Sequence, residues 1–149
     1  MTTEKPVLFY AGEFGFCFSN SSSFAVEWHG RLWMTSEHAY QAAKFDDLNI
    51  IDEIHRARSS HLALQIAKHR YPSLVRSTWK DEKLAVMEDI LRHKLQQHKY
   101  VAQKLRESGS RELIENSEEN AFWGRGPDWK GQNHCGKLWM KLRDELLAQ

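Results

Sequence analysis

The sequence predicts an α+β fold that is mostly helical, with short N-terminal strands and a hairpin packed on a bundle of about six helices. Apolar residues recur at helical spacing through the long segment 79–97. Period-two alternation of apolar residues, the mark of a half-buried strand, is confined to a short segment near the N-terminus. Because the chain has 149 residues, we expect a single domain over residues 1–149.

The predicted strands lie mainly in the N-terminal part. Val7–Tyr10 is an apolar run that leads into a turn containing Gly12 and Gly15. Residues 16–23 are aromatic and then polar, which predicts the end of a strand opening into a loop.

A hairpin is predicted immediately afterwards. Phe24, Val26 and Trp28 alternate with their neighbours, and His29-Gly30 can form a tight turn. Residues 31–34 would then return as the second arm. A last short strand is predicted at Leu113 and Ile114.

Six segments have helical patterns and helix-stop signals. The third begins after Ser59 and ends before Pro72, and the fifth ends at Ser108-Gly109, a usual glycine stop. In the longest helix the apolar stripe comprises Leu84, Met87, Leu91 and Leu95, joined by Val86 and Ile90. The six predicted helices are 35–45, 48–57, one from Ser60 through Ala67 that stops before Tyr71, 79–97, one through Val101 and Leu105, and one from near Gly136 through Leu146.

Composition excludes several classes of protein. A hydrophobic fraction of 41% with six Trp indicates a packed globule, and no stretch approaches the roughly 18 apolar residues that a membrane span needs. Met1–Pro6 lacks the apolar segment that a signal peptide requires, so we expect a cytoplasmic protein that does not bind membranes. Cys17 and Cys135 are far apart and are predicted to be free thiols.

Charge limits the possible partners. The 21 basic and 20 acidic residues give a net charge of +1, too small a field to hold nucleic acid non-specifically. A nucleic-acid partner would therefore have to be recognised in a discrete pocket.

The predicted helix 35–45 carries mixed polar chemistry on one face. Glu37, Tyr40, Gln41 and Lys44 are spaced i, i+3, i+4 and i+7, so their side chains point in one direction. Small alanines occupy the opposite side, where a neighbouring backbone could come close. The stripe is either the wall of a site or a solvent-facing polar surface.

The segment 116–136 holds four of the eight glycines and is predicted to be mostly loop. Residues 131–137 match the G-x-x-x-x-G-K part of a P-loop, but Leu138 stands where a magnesium-binding Ser or Thr would be needed, which excludes an NTPase. Two interpretations remain. A glycine-rich loop before a helix can offer N–H groups to a phosphate, or the glycines can simply permit a turn.

Two kinds of catalytic centre are disfavoured. The eight His show neither H-E-x-x-H nor paired Cys/His spacing, so we expect no bound metal. No G-x-S-x-G nucleophile elbow is present either.

Aromatic residues flank both polar regions. Trp123 and Trp129 lie beside the loop glycines, and Trp33 and Tyr40 lie beside the start of the helix 35–45. Each Trp could be a core residue, or together they could stack on a flat ligand. With a carboxylate and an amine nearby, the set suits a nucleotide-like molecule.

Several motifs occur together and in order over nearly the whole chain. They are Phe18-Ser19-Asn20, the run Thr35–Phe45, Trp79, Met87, Lys94-Leu95, Glu115, Trp123-Gly124, Gly131–Gly136 and Leu138–Arg143. In this combination the sequence resembles the NADAR family. The resemblance implies the family's α+β, mostly helical fold and an N-glycosidase that cleaves the bond between ribose C1′ and a nitrogen. It implies no cofactor.

The resemblance also implies a substrate and a site. The substrate would be ADP-ribose on guanine, including guanine in nucleic acid, or a ribosylamino-pyrimidine phosphate of riboflavin synthesis. Glu37 and Trp79 match catalytic positions. Our own hypothesis for Lys44 is that it binds a phosphate or a ribose hydroxyl, or forms a Schiff base with the opened sugar. The implied substrate-binding residues are Ser19, Asn20, Tyr40, Gln41, Trp123, Gly124, Asn133 and Gly136.

One position departs from the family pattern. Asn120 stands where an acidic residue is usual, three residues before the Trp of the WG pair, with Glu118 and Glu119 just upstream. Either Glu119 or its neighbour takes the acid's role, or turnover is weak. The alternative is a module that binds ADP-ribose or another nucleotide without cleaving it. A purely structural helical protein would leave the loop glycines unexplained. No obligate protein partner is predicted.

Overall fold

Short strands and six α-helices make up the part of the chain that the structure, a computed structural model, describes: residues 4–10 and 14–149. The predicted turn residue Gly12 lies outside these ranges. The strands are β1 (Val7–Phe9), β2 (Val26–Trp28), β3 (Arg31–Trp33) and β4 (Leu113–Glu115). The helices are α1 (Ser36–Ala42), α2 (Leu48–His55), α3 (Ser60–Gln65), α4 (Trp79–Gln97), α5 (Lys99–Glu107) and α6 (His134–Leu147). The predicted α+β, mostly helical fold is confirmed.

The chain divides into two units, one of residues Met1–Ser19 with His98–Gln149 and the other of residues Asn20–Gln97. The single domain expected over 1–149 stays a prediction.

In the first unit, β1 and β4 pair in parallel, with Val7 opposite Leu113. Phe18 fills the core beside them, since its ring lies 5.3 Å from that of Trp139, whose indole N–H donates to the Phe18 carbonyl at 2.9 Å. The predicted strand end at 16–23 is wrong. Residues 16–18 form a 3₁₀ turn instead, because Gly15 adopts a φ of 86° and its carbonyl accepts the Phe18 N–H.

In the second unit, β2 and β3 form the predicted antiparallel hairpin. His29 and Gly30 both have positive φ, 50° and 79°, as a two-residue hairpin turn of type I′ requires. The hairpin is fastened to α4 at β2, where the Trp28 indole N–H donates to Asp89 at 2.8 Å. Helices α1, α2 and α3 pack against one another beside it.

Helix α4 has the predicted bounds and most of the predicted stripe. Met87 and Leu91 are buried as expected, whereas Leu84 is 38% exposed. Helical spacing fixes which residues share a face, but not how far along that face the neighbouring elements reach. The buried residues of α4 are Trp79, Met87, Ile90, Leu91 and Lys94.

Candidate active site

The first turn of α1 is fixed by a threonine cap and a buried histidine. Thr35 is the N-cap, and its hydroxyl oxygen accepts the His38 backbone N–H at 3.2 Å. The His38 ring is fully buried, with Nε2–H donating to the Ala57 carbonyl at 3.0 Å and Nδ1 accepting the Thr35 hydroxyl at 2.7 Å. Burial lowers the pKa of His38, so its ring is held neutral and serves as a structural link between α1 and the segment after α2.

Asn20 fastens the same turn to α4. Its side-chain oxygen accepts the Ser36 hydroxyl at 2.9 Å, and its backbone carbonyl accepts the Glu37 N–H at 3.0 Å. Its side-chain amide donates to the sulfur of Met87 at 3.6 Å. Asn20 therefore orients the turn that bears Glu37, and its predicted contact with substrate stays a prediction.

The polar stripe of α1 does not face bulk solvent. Tyr40 and Gln41 are only 6% and 2% exposed, while Glu37 and Lys44 are partly exposed. The solvent-facing interpretation is therefore wrong. On the other side of the helix, Ala42 is 3% exposed, which is consistent with the close packing expected there.

Glu37 and Gln41 form a hydrogen-bonded pair one turn apart. The Gln41 side-chain amide donates to Glu37 Oε1 at 2.6 Å. Burial raises the pKa of Glu37, and the hydrogen bond from Gln41 and the charge of Lys44 offset only part of that effect. A carboxyl group whose pKa is raised toward neutrality is suited to exchanging protons with a substrate or a water.

Lys44 continues the stripe and is also desolvated. Burial lowers its pKa, the charge of Glu37 opposes the shift, and Lys83 and Lys68 add to it. Its Nζ lies 5.4 Å from the centre of the Tyr40 ring. An amine with a lowered pKa is more often neutral, and hence nucleophilic, than an exposed lysine.

Trp79 joins this group through its ring. It begins α4 and lies 5.3 Å from the Tyr40 ring at an interplanar angle of 57°. The guanidinium of Arg76 is 5.6 Å from the Trp79 ring centre. The second unit thus brings together five of the predicted site residues: Glu37, Tyr40, Gln41, Lys44 and Trp79.

Apart from Asn20, the other predicted residues lie in the first unit, where Asn120 opens a turn. Its side-chain oxygen accepts the N–H groups of Phe122 and Trp123 at 3.1 and 2.8 Å. Glu119 is exposed, and Trp123 is 8% exposed with its ring against Phe122. An aspartate oxygen could accept the same two N–H groups, so Asn120 preserves the turn that an acidic residue would make.

Asn133 and Gly136 have clear structural roles. The Asn133 side chain accepts the Glu115 N–H and donates to the Leu113 carbonyl, both at 2.9 Å, which ties β4 to the start of α6. A Cβ on Gly136 would collide with the Leu113 carbonyl. Their predicted contacts with substrate stay predictions.

The backbone before α6 does not offer free donors to a phosphate. The N–H groups of residues 132, 133, 134 and 135 donate to the carbonyls of residues 121, 124, 122 and 123, at 2.7 to 3.1 Å. Gly131 also packs directly on the backbone of Gly124 and Arg125. These contacts favour the interpretation that the glycines permit a tight turn.

Ser19 and Gly124 complete the predicted set. The Ser19 N–H donates to the Phe16 carbonyl at 2.9 Å, and its side chain is partly exposed. Gly124 is buried, and its N–H donates to the Asn120 carbonyl at 3.1 Å. Both substrate-binding roles stay predictions.

Lys94 was missed as a structural residue. It is fully buried in α4, and its ammonium donates to the Ser22 hydroxyl at 3.1 Å and lies 5.5 Å from the centre of the Phe24 ring. It therefore helps to hold the segment that carries Asn20. The available signal was its position, since Lys94 lies seven residues after Met87 on the apolar face of the helix.

A cavity of about 290 Å³ in the second unit lies on the alanine side of α1. Ala42 and Ala43 line it, but no member of the polar stripe does. Its remaining walls are Trp28, His29, Arg31, Trp33, Phe45, Leu48, Ile51, Arg76 and Val86. This cavity is therefore distinct from the Glu37 group.

Among residues 4–10 and 14–149, no three or more His, Cys, Asp or Glu side chains are grouped as metal ligands. No helix there is long and apolar enough to cross a membrane.

Comparison with known proteins gives consistent matches. The NADAR domain profile matches residues 8–147. N-glycosidase YbiA of Escherichia coli is 37% identical over 132 residues, which cover 89% of this chain and 82% of that protein. A riboflavin biosynthesis protein of Vibrio vulnificus is 35% identical over 144 residues, 96% of this chain but only 39% of the relative. The NMR structure of E. coli YbiA has a TM-score of 0.87 and 33% identity, covering 99% of this chain and 88% of that one.

Proposed function

This chain belongs to the NADAR family, and on that premise we propose that it is a hydrolase that cleaves the C1′–N bond of a phosphorylated ribosyl substrate. Action on N-glycosyl bonds is supported by relatives that are named N-glycosidase, because this chain matches them over most of their length. The nature of the substrate is our inference.

The observation that carries the proposal is the pairing of Glu37 with Gln41 beside Lys44. Cleavage of a glycosyl bond passes through a state with positive charge on C1′, which a nearby carboxylate stabilises. Glu37 is a partly buried acid in a fixed orientation, with a raised pKa. Such a group can act both as that carboxylate and as the acceptor of a proton from water.

The proposed reaction is a hydrolysis. Water adds to C1′ as the C1′–N bond breaks, and the bonding electron pair leaves with the base. Glu37 accepts a proton from the water, and the departing nitrogen is protonated by a nearby acid or by solvent. Glu37 then releases its proton, so that the net reaction consumes one water and the carboxylate is regenerated. The products are the free base and a sugar with a hydroxyl at C1′.

Other members of the group have roles in binding. Tyr40 and Trp79 present rings that could pack against the ribose or the base. Lys44 either pairs with a phosphate or attacks C1′ of the opened sugar, forming a C=N bond and releasing water. For Asn120 we propose support of a turn rather than proton transfer, and Glu119 stays a candidate acid.

Two substrate classes fit this chemistry. One is a ribosylamino-pyrimidine phosphate, in line with the riboflavin biosynthesis names of the V. vulnificus and maize relatives. The chain spans only 39% and 23% of those two proteins. The other is ADP-ribose attached to guanine, free or in nucleic acid. A cytoplasmic location is proposed with either.

Incubation with both substrates, followed by mass spectrometry for released base, tests the proposal. We expect free base from at least one of them, and none when Glu37→Gln replaces the wild type. If calorimetry detects binding of ADP-ribose while neither substrate is cleaved, the chain is a non-catalytic binding module. If there is neither binding nor cleavage, the proposed function is wrong.

A further inference from the structure

Gln41 has a buried acceptor with no partner in the part of the chain that the structure describes. The side chain is 2% exposed, and its Oε1 has no hydrogen-bond partner among the residues that the structure describes. Native proteins pair nearly all such atoms, since leaving a buried polar group unpaired is unfavourable. An unpaired acceptor beside a catalytic acid points to a donor supplied by a ligand.

The orientation of the Gln41 amide follows from Glu37. The amide N–H₂ donates to Glu37 Oε1 at 2.6 Å. Turning the amide over would place its oxygen against the carboxylate, where two acceptors would repel each other. As long as Glu37 is ionised, Oε1 is therefore the free end of the amide and can only accept a hydrogen bond.

We propose that Gln41 Oε1 accepts a hydrogen bond from the 2′-hydroxyl of the ribose that is cleaved, and that Gln41 makes the enzyme specific for ribosyl over 2′-deoxyribosyl substrates. This assignment rests on the proposed function. The Gln41 amide is hydrogen-bonded to Glu37, the carboxylate that we place next to C1′. In this arrangement Gln41 Oε1 lies beside the sugar carbons nearest to C1′. The 2′-hydroxyl is the donor next to that carbon, and both candidate substrates carry it.

Two physical arguments support a large effect. In glycosidases, hydrogen bonds to the hydroxyl at C2 strengthen in the transition state. A site built to bond a substrate hydroxyl discriminates strongly against an analogue that lacks it, because its buried polar group is then left unpaired. The preference for ribosyl over 2′-deoxyribosyl substrates should therefore appear in kcat/KM, and it should depend on Gln41 Oε1.

The test combines one substitution in the enzyme with one change in the substrate, in the manner of a double-mutant cycle. Wild type and Gln41→Met are assayed for base release on a cleaved ribosyl substrate and on its 2′-deoxy analogue. A 2′-hydroxyl also slows glycosyl cleavage chemically, so the informative quantity is the change in the ribosyl/deoxyribosyl ratio of kcat/KM. We expect Gln41→Met to lower that ratio by about 100-fold or more, in line with the discrimination of hydroxyl-binding sites.

Controls separate this inference from a general loss of function. Gln65→Met, at a residue on α3 outside the Glu37 group, should leave the ratio unchanged. If Gln41→Met does not fold, as judged by circular dichroism, the wild type alone is tested with 2′-deoxy and 3′-deoxy analogues. Each kcat/KM is divided by the rate of uncatalysed base release from the same analogue, which removes the chemical effect of the hydroxyl. On this scale, removal of the 2′-hydroxyl should impair the enzyme by more than removal of the 3′-hydroxyl.

The outcomes are distinct. A fall in rate that is equal for both substrates would overturn the inference, because Gln41 would then act on the water or on Glu37 alone. Equal impairment of the wild type by the two deoxy analogues would overturn it as well. If the wild type releases no base from any ribosyl substrate, it is the proposed function that fails.

Discussion

At the scale of single residues, burial acts on two groups of opposite charge, one in α1 and one in the turn that follows it. It raises the pKa of the Glu37 carboxyl and lowers that of the Lys44 amine, so both are moved toward neutral pH. Their mutual attraction works against both shifts but does not cancel them. Desolvated groups of this kind are typical of active sites, because the proton affinity of each is adjusted to its chemical task.

Lys44 offers the most direct chemical test at this scale. If the amine forms a Schiff base with the opened sugar, borohydride added during turnover should trap one sugar adduct on Lys44, detected by peptide mass spectrometry. Lys44→Met should abolish trapping, while Lys80→Met, at an exposed lysine on α4, should not. Absence of an adduct from the wild type under turnover would leave only electrostatic binding for Lys44.

His38 leads to a prediction about stability and pH. Its folded-state pKa is below the ordinary value of 6.5, so the unfolded chain takes up a proton more readily. Its contribution to stability is thus complete above pH 6.5 and is lost as the pH falls through the folded-state pKa. The free energy of unfolding in urea should decrease from pH 7 to pH 5, and His38→Gln should flatten that decrease.

The control for this prediction is His61→Gln, at an exposed histidine of α3. It should retain the full pH dependence of the wild type. The same slope in His38→Gln and in the wild type would show that other groups cause the effect.

Single residues of the site were predictable to different degrees. The Glu37–Lys44 stripe follows from helical spacing and the resemblance, but the predicted helix 35–45 is too long, since α1 ends at Ala42 and Lys44 lies in the turn that follows. The burial of the stripe did not follow, because a polar stripe on an isolated helix can equally face water. Lys94 was missed for the same reason, since its partner Ser22 is 72 residues away in the chain.

At the scale of elements, local signals located the helices well and the loops less well. Both ends of α4 and the caps Thr35 and Ser59 agree with the sequence, because capping and hydrophobic periodicity are local. The 3₁₀ turn after Gly15 was missed, since only a positive φ separates it from an extended strand end. The loop before α6 was predicted, but the backbone hydrogen bonds from residues 132–135 to residues 121–124 were not.

The turn at Asn120 can be tested by two substitutions. Asn120→Asp keeps the oxygen that accepts two N–H groups, so stability should be unchanged and base release should stay within about threefold, well under 1 kcal/mol. Asn120→Ala removes the acceptor and should cost about 1 kcal/mol of unfolding free energy in urea.

Asn49→Ala, at an exposed asparagine in α2, is the matched control and should cost less than Asn120→Ala. A rise in base release of more than about tenfold in Asn120→Asp, which corresponds to about 1.4 kcal/mol, would contradict the structural role. That result would mean that the position requires a carboxylate.

At the scale of the whole molecule, the resemblance to the NADAR family was the strongest sequence signal, and it is confirmed. Motifs distributed from Phe18 to Arg143 had to occur together, and no physical pattern of one element could have replaced them. The general activity follows from that membership. The substrate does not, because it depends on which polar atoms of the site are left without a partner inside the protein. Gln41 Oε1 is such an atom among the described residues, and sequence spacing gives no signal for it.

The central claim is that Glu37 serves catalysis at the expense of the stability of the folded chain. Because its pKa is raised above the ordinary 4.5, its ionisation stabilises the unfolded state, and its favourable contribution is lost as pH rises through the folded-state pKa. At pH 7, Glu37→Gln should therefore unfold at the same or a higher urea concentration than the wild type. Glu27→Gln, an exposed residue of β2, is the matched control and should keep activity and stability.

The most direct measurement is the rate of base release by Glu37→Gln at pH 7, on a substrate that the wild type cleaves, with the urea midpoint determined on the same sample. We predict a loss of about 10²- to 10⁴-fold in rate with no loss of stability. Normal base release by folded Glu37→Gln would contradict the account.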